Sequence, residues 1–175
     1  MLAQSLASEP PLSAETAPPT LTAEPPTEAP TADSSISQCA YTWAYHNADE
    51  LGAMIDAEMR GLDPAASGNA SFFGEDCIYA DGRSTFGAME TDFYVRIPVN
   101  DLADEELFGI WISQVLRVVL DFPRELIQGN YGFVEFWFEK SEGEHVIVRV
   151  SIQRFKDGTH GISGAALFRM FYVQP

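Results

Sequence analysis

Five acids, Glu75, Asp76, Asp81, Glu90 and Asp92, flank one stretch with the pattern of a β-hairpin, so they are the polar residues that a fold would most readily gather. Two carboxylates close in space can act as general acid and base or can hold calcium. Glu75, Asp76, Glu90 and Asp92 are therefore the candidate metal set, and the basis for a small hydrolase or calcium-dependent module. The plainer reading is surface charge, since hairpin ends are commonly acidic in an anionic protein. His46, His145 and His160 lie far apart, and none has a partner at the spacing of a zinc pattern. Gly161-Ile162-Ser163-Gly164 lacks the spacing of a nucleophile elbow, and Ser163 suits a helix cap better. There is no phosphate loop and no dinucleotide fingerprint. No catalytic residue is assigned, no cofactor is expected, and the protein reads as a binding domain rather than an enzyme.

A stronger signal comes from residues that strand pairing would bring together. Asp81-Gly82 reads as a tight turn between two strands, with positive φ wanted at both positions. In the second of those strands Phe93, Val95, Ile97 and Val99 share one side, while Tyr94, Arg96 and Pro98 share the other. A second hairpin turns at Ser141-Glu142-Gly143, three residues with Gly last, which suits a type I turn closed by a left-handed residue. That choice pairs Lys140 with Glu144, Phe138 with Val146, Phe136 with Val148 and Val134 with Val150. It sets Trp137 against Ile147, Glu135 against Arg149 and Phe133 against Ser151 on the reverse side. A slip of one residue would put Phe136 opposite Arg149, so the apolar pattern fixes the pairing. Tyr94, Arg96, Phe133, Glu135, Trp137, Ile147 and Arg149 then lie together. If no helix covers them, they have the composition of an interface or of a sugar-stacking platform. If the last helix or residues 40–46 cover them, they form a second core.

Helices must position these strands. The stretch 104–122 is the spine: Leu107, Phe108, Trp111, Ile112, Val115, Val118 and Val119 form one apolar stripe, while Ile110, Leu116 and Leu120 lie opposite, so cover is expected on more than one side. Gln114 and Arg117 interrupt it short of a membrane span. Asn47 with Glu50 reads as a capping box that opens an earlier helix ending near residue 60. Ser163 opens a last one with Leu167, Phe168 and Phe171 on its apolar side, and Gly87 marks a bend or bulge. Residues 40–46 form a short edge strand or an extended lead-in. The fold class is α+β: a mainly antiparallel sheet of two hairpins with helices packed on one face, in the order α-ββ-α-ββ-α.

Composition divides the chain near residue 38. Residues 1–38 contain seven of the eleven prolines, five acids, no aromatic residue and no Lys or Arg, the composition of a disordered Pro/Thr/Ala/Glu-rich spacer. Met1-Leu-Ala-Gln-Ser-Leu-Ala lacks the basic start and apolar run of a signal peptide. Residues 39–175 form one α+β domain. Removing the five acids of 1–38 from the chain's net charge of −16 leaves −11 there, which repels phosphate backbones and anionic lipid, so nucleic acid is not an expected partner. Cys39 and Cys77 stand at the domain's entry and in its first hairpin, where a disulfide would pin the start of the fold.

The segments CAYTWAY, FFGEDCIYADG, METDFYVRIPV, FVEFWFEK and SGAALFRMFY resemble those of a group of uncharacterised exported bacterial proteins, a resemblance that covers the domain from Cys39 onward and carries no reaction. The order of helices and hairpins is similar to that of type III secretion chaperones, acidic dimers that hold a partner chain on sheet and helix surfaces. Together these imply a non-enzymatic extracytoplasmic (secreted or cell-surface) binding or assembly domain on a flexible spacer, with a protein partner or a second copy of itself as a homodimer. The alternatives are a small hydrolase or calcium module on the acidic hairpin, or a chaperone-like dimer. Protein made in an oxidising compartment is expected to show no alkylatable thiol by mass spectrometry without reduction; two alkylated cysteines would remove the main support for export.

Overall fold

A long apolar helix that has to be covered on two sides sets the architecture. The computed structural model describes residues 39–172, so the expected spacer at 1–38 lies outside the described residues. The elements are β1 (Cys39–Asn47), α1 (Asp49–Leu62), β2 (Ser67–Tyr79), β3 (Ser84–Pro98), α2 (Glu105–Asp121), a 3-10 turn (Arg124–Leu126), β4 (Asn130–Ser141), β5 (Glu144–Ser151), α3 (Ile152–Gly158) and α4 (Gly164–Phe171). The five strands make one sheet in the order β1-β2-β3-β4-β5. All neighbours are antiparallel except β3 and β4, which run parallel because α2 carries the chain back along the sheet between them. The fold is α+β with a mostly antiparallel sheet, as expected.

The expected order needs two additions. Residues 39–47 form a full edge strand in register with β2, from Cys39 opposite Tyr79 to Asn47 opposite Ser71. After β5 the chain turns at once into α3, whose first turn is capped by Ser151 Oγ accepting from Arg154 N at 3.3 Å. Only Ile152 of α3 is buried, so the segment carries almost no periodic signal. Asn47 is part of β1 and caps nothing; α1 begins after Ala48, whose own N–H donates to Ala70 O at 3.1 Å. The first hairpin turn holds three residues rather than two: Gly82 N donates to Tyr79 O and Tyr79 N to Arg83 O, both at 2.9 Å, with Gly82 at φ 83°. The second hairpin keeps every expected pair from Phe138–Val146 down to Phe133–Ser151, but at its tip Ser141, not Lys140, faces Glu144 across a bulge. Another irregularity lies between Phe73 and Gly74, where Met89 of β3 is left without a partner two residues past Gly87.

The core lies on one side of the sheet. Phe93, Val95 and Ile97 of β3, Val134, Phe136 and Phe138 of β4, and Val150 of β5 are wholly buried, against Leu51, Ile55 and Met59 from α1 and the α2 stripe. Phe108 of α2 stacks on Phe138 with ring centroids 4.2 Å apart and also meets Phe168 of α4 at 5.3 Å. The cover expected on the second side of α2 is supplied by α4, so Leu116 is buried while Ile110 stays exposed.

That second contact is close enough to be specific. A Cβ on Gly109 would stand 1.8 Å from the carbonyl oxygen of Gly164, so the two backbones touch. At the same place Ser163 holds the cap position of α4 without a side-chain hydrogen bond; instead Glu106 of α2 accepts from Ala165 N at 2.9 Å, and Glu105 pairs with Arg169 at 2.5 Å. The cap of one helix is thus a carboxylate of another, favourably placed at the positive end of the helix dipole.

In an exposed helix Gly→Ala is stabilising by up to about 1 kcal/mol. Gly61 of α1 has open space around it and should show that gain, whereas Gly109→Ala should lower stability by about 1–3 kcal/mol through overpacking. Urea denaturation of both variants checks the pair, and equal gains would mean that α4 packs more loosely than described.

Candidate functional site: the bare side of the sheet

All the packed helices lie on the core side, so among the described residues no helix covers the reverse side. The structure brings the seven expected residues together there. Arg149 reaches across from β5 to Glu135, with Nη2–Oε2 at 2.5 Å, and its guanidinium carbon lies 4.1 Å from the ring centre of Phe133. Tyr94 meets Phe133 edge to face at 5.9 Å. Trp137 Nε1 donates to Glu135 Oε1 at 2.8 Å, Arg96 lies 4.7 Å over the indole, and Arg96 pairs in turn with Glu139. Ile147 completes the set as an exposed apolar residue. An open hollow of about 320 Å³ on this side is lined by Ser67, Gly68, Asn69, Tyr94, Arg96, Glu135 and Trp137.

Residues 40–46 neither cover this side nor avoid it; as β1 they widen it. The continuous β1–β2 register puts Tyr41, Trp43 and Tyr45 on the same side as Phe73, and Trp43 and Tyr45 approach Phe73 at 5.4 and 4.9 Å. These three β1 aromatics are 70, 62 and 63% exposed, more than any other large apolar residue among those described. Their alternation is visible in the sequence, but only the pairing of β1 with β2 shows which side they join. The Cys39–Cys77 disulfide fastens the same strand to β2, with Cα atoms 5.3 Å apart.

The hairpin acids do not converge. Asp76 lies on the other side of the sheet, hydrogen-bonded to His46 Nε2 at 3.3 Å, and Asp81 is at the turn beside Arg83. Glu75 and Glu90 share the aromatic side, while Asp92 is sealed beneath it. Among the described residues no group of three His, Cys, Asp or Glu could hold a metal ion, so the structure gives the expected set Glu75, Asp76, Glu90 and Asp92 no common site. His160 and Ser163 do line one open hollow beside α2 with Arg117 and Lys156, but no hydrogen bond joins them among the described residues. The His145 ring lies tilted against Trp137, with centroids 5.0 Å apart.

Asp92 is the unusual group. It is wholly buried; Oδ1 accepts from Phe133 N at 3.1 Å, and Oδ2 has no hydrogen-bond partner. The room for it comes from a break in the β3–β4 register and from Gly132, where a Cβ would stand 2.0 Å from Oδ1. Burial pushes its carboxyl up to about 6, against the pull of the Phe133 N–H, with Glu90 adding to the rise. Burial likewise raises the neighbouring Tyr94 hydroxyl.

Compared with known proteins, the chain matches no family model, no curated protein and no solved structure. No helix of the described residues is long and apolar enough to cross a membrane.

Asp92 gives this side a pH signature. Its folded pKa stands above the ordinary 3.8, so the folded state holds the proton more tightly than the unfolded chain does. Its contribution to stability is greatest at low pH, falls between about pH 4 and 6, and is level above. Asp92→Asn should remove that slope, so the stability of the variant relative to the wild type should rise by up to about 3 kcal/mol from pH 4 to pH 7. Urea midpoints across that range measure it; parallel profiles would mean that Asp92 titrates as an exposed carboxylate does.

Proposed function

We propose that the domain is a non-enzymatic extracytoplasmic binding or assembly module, carried on the spacer of residues 1–38, and that the bare side of the sheet is its contact surface for protein. The observation that carries this reading is the row Tyr41, Trp43 and Tyr45, aligned on one strand and exposed over well more than half of each side chain. Large aromatics in a row offer much contact area at little conformational cost, and such residues dominate the energetics of protein interfaces. The ion pairs Arg149–Glu135 and Arg96–Glu139 stand beside them as the polar part of the same surface. The disulfide fits a compartment where thiols oxidise. A hydrolase or calcium module on the hairpin is not adopted, because its acids are divided between the two sides of the sheet and the turn.

Photo-crosslinking in producing cells tests this reading. Benzoylphenylalanine in place of Tyr41 or Tyr45 should give one discrete protein adduct, whereas the same probe in place of Glu58, on the outer side of α1, should give none. No adduct from either face position, or equal labelling from all three, would remove the interface.

A further inference from the structure

We infer that the partner at the margin of this surface is a second copy of the chain, joined edge to edge through β1 into a ten-stranded sheet. The inference rests on the reading of the bare side as an assembly surface: the second copy lies beside β1 and extends that side across the junction. β1 is an edge strand nine residues long, paired with β2 along its whole length without a bulge. Among the described residues nothing pairs with its outer edge. An edge of this kind is a ready template for another strand, and proteins that keep such an edge single protect it with charge, proline, a bulge or a short strand. CAYTWAYHN has none of these: no Asp, Glu, Lys, Arg or Pro, and an unbroken register.

Charge determines where two copies could meet. The domain's net charge of −11 makes two copies repel over most of their surface, so they can approach closely only where neither carries an acid. β1 is such a place. The opposite edge, β5, carries Glu144 and Arg149, so a β1-to-β5 contact that would propagate into a fibre meets charge, whereas β1 to β1 closes after two copies. Residues 1–38 contain five acids and no base, which suits them poorly to a surface already bearing Glu75 and Glu90. The disulfide holds β1 extended before any partner arrives, which lowers the entropy cost of pairing.

An antiparallel two-fold centred on Trp43 engages all nine residues. It sets Tyr41 opposite Tyr45 of the other copy, so the two aromatic rows meet in the middle of one continuous surface. On the other side Thr42 falls opposite Ala44, small residues that leave room.

Those two positions provide the test, because substitution there leaves the aromatic row intact. Sedimentation equilibrium of the full chain from micromolar to submillimolar concentration should show a dimer. Thr42→Lys with Ala44→Lys places like charges directly opposite each other twice and should weaken the dimer at least tenfold, as should Thr42→Glu with Ala44→Glu. Mixing the two double variants should restore a dimer, which also shows that both fold. A wild-type monomer throughout, a dimer indifferent to the lysines, or a mixture no stronger than its parts would each overturn the inference. If the wild type is monomeric while the crosslinks from Tyr41 and Tyr45 capture a different protein, the interface stands and only the identity of its occupant is wrong.

Discussion

The contact of Gly109 with Gly164 is the constraint on which the layout depends. α2 lies along the sheet between β3 and β4, and it is too apolar on its outer side to be left to water. Covering it needs a helix close enough to bury Leu116, which two glycines allow. Glu106 then satisfies the start of that helix, so the packing and the capping of α4 are one event. With α1, α2 and α4 all committed to a single side, the sheet's reverse is left to strand side chains alone. The bare surface is thus a consequence of how the helical layer closes.

Much of this could be read from the residues, because alternation in strands and spacing in helices are local signals that burial reinforces. The apolar pattern determined the β4–β5 pairs down to Phe133 and Ser151, and strand alternation put Tyr94, Arg96, Phe133, Glu135, Trp137, Ile147 and Arg149 on one side, where the register also has them. What could not be read depends on non-local events. α3 is a short turn of helix with one buried residue, too little for a period to show. The sequence around Asn47 satisfies a capping box locally, but Ser71 claims that residue for strand pairing and the helix starts later. The burial of Asp92 had no signal at all, since it follows from a break in the β3–β4 register and from the missing side chain of Gly132, forty residues away.

The two ends of the bare side differ in a way that bears on how it could work. Around Trp137 the polar groups are already engaged: the indole N–H and Arg149 share the carboxylate of Glu135, and Arg96, over the indole, pairs with Glu139. Around Trp43 no side-chain hydrogen bond is made among the described residues, and the rings of Trp43 and Tyr45 rest on Phe73. The first region behaves as a stiff, pre-ordered frame, and the second as exposed apolar area whose covering would release water at little cost in lost hydrogen bonds.

The disulfide has a mechanical consequence. A pull arriving along residues 1–38 enters the domain at Cys39, the first residue of an edge strand, where an antiparallel ladder would open one hydrogen bond at a time like a zip. Cys77 passes that load into β2, a strand paired on both flanks, so the margin cannot be peeled from its start without first disturbing β2. A domain tethered through its start and exposed to drag would thereby keep its outermost strand, and the aromatic row on it, seated under tension.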